Sequence, residues 1–293
     1  MSFSKISLAQ FKEFLFDIKF SHSIFAFPFA ISAFFMESLP SPTAEQIILL
    51  CVCMVSARSV AMGANRLFDW KLDLANPRTA TRSIPSGRLN LFNAWFFTLG
   101  FAGVFVTSSY FLSDIAFKAS VPVLIFLSGY SLMKRVHFFT HLYLGLCLGL
   151  APNAVYTSLT GELSSPLVLL GFAIAVWTAG FDILYSLQDM DHDKKEGLKS
   201  VPSYFGAKWS IYISRALFFA MIMLLAMIGY LLDLGSIYFA GVFLVAVILA
   251  YEHYLVKDAV KGEGIPNIGK AFFDLNAWVS VGFLIFVIAE RII

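Results

Sequence analysis

The chain has 293 residues, 59% of them apolar and only 14% charged, with a mean hydropathy of +0.78. A soluble globular chain is about half apolar and a quarter charged, so this composition excludes an ordinary soluble domain and predicts an all-α, polytopic membrane protein. A formal net charge of +2 gives no basis for nucleic-acid binding, and the three cysteines, Cys51, Cys53 and Cys147, have neither zinc-ligand spacing nor the makings of a disulfide framework.

In chain order, the N-terminal charges Lys5, Lys12, Glu13, Asp17 and Lys19 read as an interfacial helix and not as a signal peptide. Apolar runs near the length needed to cross a hydrocarbon core then recur. Nine spans are expected, at 21–36, 45–65, 91–112, 115–132, 138–159, 166–188, 211–232, 237–255 and 271–292, in a single domain covering 1–293. Basic residues crowd alternate connections: Arg66, Lys71, Arg78, Arg82 and Arg88, then Lys134 and Arg135, then Lys194, Lys195, Lys199 and Lys208, then Lys257, Lys261 and Lys270. The intervening connections, around Glu37, Asp114, Glu162 and Asp233, are nearly free of them. The positive-inside rule puts the basic loops in the cytoplasm.

Two of those cytoplasmic segments also hold the carboxylates. Asn65-x3-Asp69-x3-Asp73 and Asp182-x2-Tyr185-x3-Asp189-x3-Asp193 each close a long apolar run. Carboxylates beside a bilayer core are costly and need a metal ion, a cation or water. Residues four apart share a helix face, about 5–6 Å apart at Cβ, so Asp69 with Asp73, and Asp189 with Asp193, form two oxygen stripes. Asp191 points away from the second stripe. Hard oxygen donors at this spacing suit Mg²⁺, which keeps waters and prefers a substrate phosphate to a full protein cage. Lys71, Arg78 and Arg82 follow the first motif, and Lys194, Lys195 and Lys199 the second; Arg clamps a phosphate with two bonds and Lys acts as a point charge. Acidic ligands with adjacent cations are what a diphosphate site requires. A cation-coupled transporter with intramembrane Asp residues is the second reading, and it predicts carboxylates near mid-span instead.

The first motif, with Arg78-Thr79-Ala80-Thr81-Arg82 and Pro85-Ser86-Gly87 behind it, resembles the first signature of the UbiA superfamily of membrane prenyltransferases. The second, with Gly197-x-Lys199-Ser200, resembles that superfamily's second signature, and Tyr130-x3-Lys134-Arg135 its Tyr-x3-Lys-Arg element. The resemblance covers roughly Lys19 to Asn276. The chain departs from the pattern at Ser83, where Pro is commoner, and between Lys19 and Pro28, a loose match to the usual Lys-Pro-x-Gly region.

The resemblance implies nine helices around a central cavity, with a cytoplasmic cap and a lateral opening for a lipid tail. It implies that Asn65, Asp69 and Asp73 bind one Mg²⁺ and that Asp189 and Asp193 bind a second. Lys71, Arg78, Arg82, Lys134, Arg135 and Lys199 would meet the substrates' anionic groups, with Tyr185 and Asp182 a turn or two deeper, toward the acceptor ring. His137 and His141 are further candidates for meeting an acceptor carboxylate or phenol. The second motif looks most like the 4-hydroxybenzoate polyprenyltransferase branch, which includes enzymes that prenylate a dihydroxynaphthoate in the futalosine route to menaquinone. The partners implied are a polyprenyl diphosphate, an aromatic hydroxy acid and the lipid bilayer. The implied location is a bacterial inner membrane, with the active site facing the cytoplasm and the product entering ubiquinone or menaquinone biosynthesis.

Overall fold

The structure, a computed structural model, describes residues 6–19, 27–37, 39, 41–256 and 268–293, without the side chains of 268–273. The expected basic residues Lys5, Lys257 and Lys261 and the start of the first expected span lie outside the described residues. Every regular element among the described residues is helical. Eight helices are long and apolar enough to cross a membrane, and a shorter apolar helix, Phe27–Met36, occupies the described part of the expected span 21–36. The chain divides into two compact units, Met1–Ile24 with Ser41–Leu132, and Phe25–Pro40 with Met133–Ile293.

The first unit contains α1 (Leu8–Asp17), α3 (Ala44–Ala75), α4 (Leu91–Leu112) and α5 (Asp114–Gly129), closed by a tight turn at Tyr130–Leu132. A reciprocal cap starts α3: Thr43 Oγ1 accepts the Gln46 N–H at 3.2 Å, and Gln46 Oε1 accepts the Thr43 N–H at 2.9 Å. Hydropathy alone ends this span at Asn65, where polar residues begin. The helix continues to Ala75, because its backbone bonds do not depend on apolar side chains, and this extension carries the first Asp motif. Ser113 alone separates α4 from α5; its hydroxyl accepts the Ala116 N–H at 3.3 Å and so starts α5. Helix α1 lies on the unit through Phe14 and Ile18, which pack in one buried cluster with Leu67, Ile84, Leu89, Ala94 and Phe97.

The second unit contains α2 (Phe27–Met36), α6 (Met133–Val136), α7 (Thr140–Thr160), α8 (Ser165–Ser186), α9 (Met190–Lys195), α10 (Val201–Leu231), α11 (Ser236–Leu255) and α12 (Ile268–Ile292). Small residues let α7 and α8 touch backbone to backbone. A Cβ on Gly145 would fall 2.1 Å from the Ala175 carbonyl oxygen, and one on Gly149 would fall 2.2 Å from that of Gly171. Membrane helices use such spacing because packing, not the hydrophobic effect, holds them together in lipid. The Ser214 hydroxyl donates to the Gly180 carbonyl at 2.8 Å and ties α10 to α8. Charged side chains close helix ends here. Glu290 accepts the N–H groups of Gly235 and Tyr238 at the start of α11, and Arg291 donates to the Phe35 and Met36 carbonyls at the end of α2. Large apolar side chains such as Phe111, Phe219, Phe243 and Ile285 stay exposed along the spans, as lipid-facing surface requires.

Candidate active site

Asn65, Asp69 and Asp73 follow at four-residue steps on the last turns of α3, so they form one stripe, as the helical period requires. Asp69 and Asp73 are 2% and 5% exposed. Burying charge is costly unless it is paired, and both carboxylates have partners. Asn65 Nδ2 donates to Asp69 Oδ2 at 2.9 Å, and Arg82 Nη1 lies 2.7 Å from each carboxylate oxygen of Asp73. The loop geometry explains the second contact. The Thr79 hydroxyl donates to the Asp73 carbonyl at 3.0 Å, Asn76 Oδ1 accepts the Arg78 N–H at 3.0 Å, and the Arg82 N–H bonds the Thr79 carbonyl at 3.0 Å. The chain thus folds back and returns Arg82 to the helix end. Arg78 and Lys71 are exposed, with the Lys71 ammonium 5.6 Å over the Trp70 ring.

Three participants in this unit are not evident from sequence. Arg66, 6% exposed, donates from Nη1 to Asn65 Oδ1 at 2.9 Å and from Nε to the Asp17 carbonyl at 3.1 Å. Asp17 reads in the sequence only as an interfacial charge. Lys19 follows it in a left-handed backbone conformation, φ 49°. Its ammonium is pushed down, first by desolvation and then by the guanidiniums of Arg66, Arg82, Arg78 and Arg58. Such a gathering of cations beside two carboxylates attracts a polyanion. No spacing rule links Asp17 to Arg66, because they sit on different helices; the loose match around Lys19 is the one available signal.

The second unit holds the other motif, and here the helix is interrupted. Helix α8 ends at Ser186, a tight turn covers Leu187–Asp189, and α9 begins at Met190. Asp189 and Asp193 therefore do not share one continuous helix, unlike the first pair. Asp193 is 9% exposed; its carboxylate bonds the Ser200 side chain and feels the Lys134 charge, while Asp191 is exposed. Gly197, at φ 67°, makes the turn that a Cβ would strain. Lys199 then reaches α6, its N–H bonding the Lys134 carbonyl at 2.7 Å and its ammonium the Val136 carbonyl at 2.9 Å. Arg135 is exposed.

Asp182 and Tyr185 are neighbours on α8, both half-buried. His141, 3% exposed, places Nδ1 at 2.7 Å from Asp182 Oδ2, and its Nε2 accepts the Val201 N–H at 3.3 Å. The Val201 bond leaves the ring proton on Nδ1, so His141 donates to Asp182, a tautomer assigned from the network. Both ring nitrogens are in use, Nδ1 on Asp182 and Nε2 on the Val201 N–H.

The donor set suits magnesium. The groups are carboxylate and amide oxygens, and among the described residues no three His, Cys, Asp or Glu side chains converge. Magnesium binds through one or two carboxylates with substrate phosphates, whereas a structural zinc site needs a closed set of nitrogen and sulfur ligands.

Residues 26–273 match the UbiA prenyltransferase family. The chain belongs to that family. It is 30% identical over 254 residues to a 4-hydroxybenzoate octaprenyltransferase of Tolumonas auensis, covering 87% of this chain and 86% of that protein. It is also 30% identical over 259 residues to the enzyme of the same name from Aliivibrio fischeri, at 87% and 86% coverage. The apo structure of a UbiA homolog from Aeropyrum pernix K1 superposes with a TM-score of 0.81 at 29% identity, covering 92% of this chain and 98% of that one. A UbiA homolog from Archaeoglobus fulgidus bound to DMAPP and Mg²⁺ shares the fold, with a TM-score of 0.74 at 16% identity over 95% of this chain and 99% of that one. This UbiA-family chain is an integral membrane prenyltransferase, which decides against the transporter reading.

Proposed function

We propose that this chain transfers a polyprenyl group from a polyprenyl diphosphate to the ring of an aromatic hydroxy acid, 4-hydroxybenzoate or a dihydroxynaphthoate, in ubiquinone or menaquinone biosynthesis. The observation that carries the reading is the pairing of two nearly buried carboxylates, Asp69 and Asp73, with an amide and a guanidinium that a magnesium diphosphate can replace. The names of the relatives support the acceptor class, and the ligands of the Archaeoglobus fulgidus homolog support the donor class and the metal.

In this reading Asn65, Asp69 and Asp73 hold one Mg²⁺, and Asp189 and Asp193 a second. When bound, the metal supplies positive charge that stabilises the departing diphosphate. Arg82, which bonds Asp73, carries a guanidinium suited to the phosphate; Lys71, Arg78, Lys134, Arg135 and Lys199 add further positive charge. The allylic carbon–oxygen bond breaks with its electron pair leaving on the diphosphate. A ring carbon of the acceptor forms the new carbon–carbon bond, and the ring then loses a proton. Asp182, oriented by His141, and Tyr185 face the acceptor. The chain lies in a bacterial inner membrane as one catalytic domain, its basic loops in the cytoplasm where a soluble aromatic acid is available.

Membranes containing the chain, given a polyprenyl diphosphate, Mg²⁺ and each acceptor in turn, should yield a prenylated aromatic acid by mass spectrometry. EDTA, Asp69→Ala and Asp189→Ala should each abolish it, and added Mg²⁺ should restore the EDTA-treated wild type. Full activity of either variant would sink the two-cluster assignment.

A further inference from the structure

The first Asp motif is tied twice to the N-terminal helix, and both ties meet at one residue. On one side, Asp17 Oδ1 accepts the Ser83 N–H at 3.1 Å; Ser83 adjoins Arg82, which grips Asp73. On the other, Asp17 Oδ2 stands 4.0 Å from Arg66 Nε, and Arg66 donates to Asn65, which donates to Asp69. Asp17 is 6% exposed, Arg66 6% and Ser83 0%, so water does not substitute for these contacts.

The same face of α1 grips the loop along its length. Glu13, one turn before Asp17, accepts from the Ser83 hydroxyl at 2.9 Å and from Arg88 Nε at 3.2 Å. Gln10, nearly a turn earlier, donates to the Arg88 carbonyl at 2.7 Å and accepts from the Asn90 N–H at 3.2 Å. Proline, the commoner residue at position 83 in the resembling pattern, has no N–H to offer Asp17. This chain's departure there is what makes the tie possible.

We infer that Asp17 is a positioning residue for the first Asp motif: through Ser83 it sets the loop that carries Arg82, and through Arg66 it sets the Asn65 amide beside Asp69. The inference rests on the proposed metal-diphosphate role of that motif. Removing the Asp17 side chain leaves a buried Ser83 N–H and the Arg66 guanidinium without their carboxylate partner. The Arg82 loop and the Asn65 amide then lose their common reference.

The test uses the full chain in lipid nanodiscs, with Mn²⁺ as the metal probe and geranyl S-thiolodiphosphate as a slow donor analogue. Bound Mn²⁺ is read by electron paramagnetic resonance, so no turnover is needed. Asp17→Ala should raise the Mn²⁺ dissociation constant about tenfold. Asp17→Asn, which keeps the volume and an acceptor for Ser83 but not the charge facing Arg66, should raise it about threefold, and Ser83→Pro should resemble Asp17→Ala. If Asp17→Ala fails to fold, the isosteric Asp17→Asn carries the test. With Asp189→Ala as the background, so that Mn²⁺ reports the first motif alone, affinities of the Asp17 variants within twofold of their parent, with Asp69→Ala abolishing the remaining binding, would overturn the inference and leave the metal reading standing. Undiminished binding on adding Asp69→Ala to that background would remove the metal reading and the inference together.

Discussion

One guanidinium nitrogen of Arg82, Nη1, lies 2.7 Å from both carboxylate oxygens of Asp73, nine residues back in the chain. The pair is mostly shielded, with side chains 27% and 7% exposed. Such a pair is more than a surface ion pair, because removing one partner strands a buried charge. In the proposed mechanism the same two groups serve opposite ends of one ligand, the carboxylate taking metal and the guanidinium taking phosphate. Arg82→Ala should therefore lower kcat/KM for the polyprenyl diphosphate by roughly 10²-fold while leaving the acceptor KM near its wild-type value. Steady-state kinetics with each substrate varied separately checks this. An equal loss toward both substrates would place Arg82 outside the donor site.

The acceptor side turns on His141. His141→Ala removes the donor to Asp182 and leaves the Val201 N–H without its acceptor. The acceptor KM should rise about tenfold, on the order of one charged hydrogen bond, with the diphosphate KM little changed. Tyr185→Phe keeps the ring and removes only the hydroxyl, so it should lower turnover instead. A rise in the diphosphate KM in His141→Ala would show that Asp182 belongs with the metal sites.

Packing gives a prediction independent of chemistry. A Cβ on Gly149 would meet the Gly171 carbonyl oxygen at 2.2 Å, a backbone atom that moves only if α7 and α8 separate. Gly149→Ala should destabilise the second unit by roughly 1–3 kcal/mol, seen as a lower thermal midpoint in detergent. Gly100→Ala is the control, since nothing lies within 4 Å of a Cβ there.

Asp17 predicts a pH dependence of stability. Burial pushes its carboxyl upward, against the opposing pull of Arg66, the Ser83 N–H and Arg82. The folded chain then holds this proton more tightly than the unfolded chain. The resulting stabilisation is complete below the ordinary aspartate value of about 3.9 and is lost as pH rises through the higher folded value. Thermal unfolding in nanodiscs from acid to neutral pH should show the decline, and Asp17→Asn should remove that part of the slope.

Topology can be read directly. In a chain with Cys51, Cys53 and Cys147 replaced by Ser, single cysteines at Thr81 and Lys195 should label from the cytoplasmic side alone. Cysteines at Asp114 and Glu162 should label from the opposite side alone. The asymmetry of Lys and Arg among the connections requires this, as does, in the proposed reaction, access of a soluble acid to the Asp motifs. Labelling of Thr81 and Lys195 from opposite faces would overturn the cytoplasmic placement of both Asp motifs.

Hydropathy and helical period are local properties, and they make much of this protein legible in its sequence. The span 91–112 coincides with α4, and most other described spans differ by a few residues, because a run of apolar residues crossing lipid must satisfy its backbone internally and so must be helical. The four-residue spacing of Asn65, Asp69 and Asp73 likewise suffices to put them on one face, since α3 stays regular there. The same spacing does not put Asp189 and Asp193 on one regular α-helix, because a tight turn at Leu187–Asp189 interrupts it, and periodicity assumes an unbroken helix. Tertiary structure alone decides which groups meet across the chain: Asp17 with Ser83 and Arg66, and His141 with Asp182. Those pairings lie 66, 49 and 41 residues apart. Each forms because packing removes water from a polar group that must then find a partner, and which partner lies within reach depends on how whole helices pack.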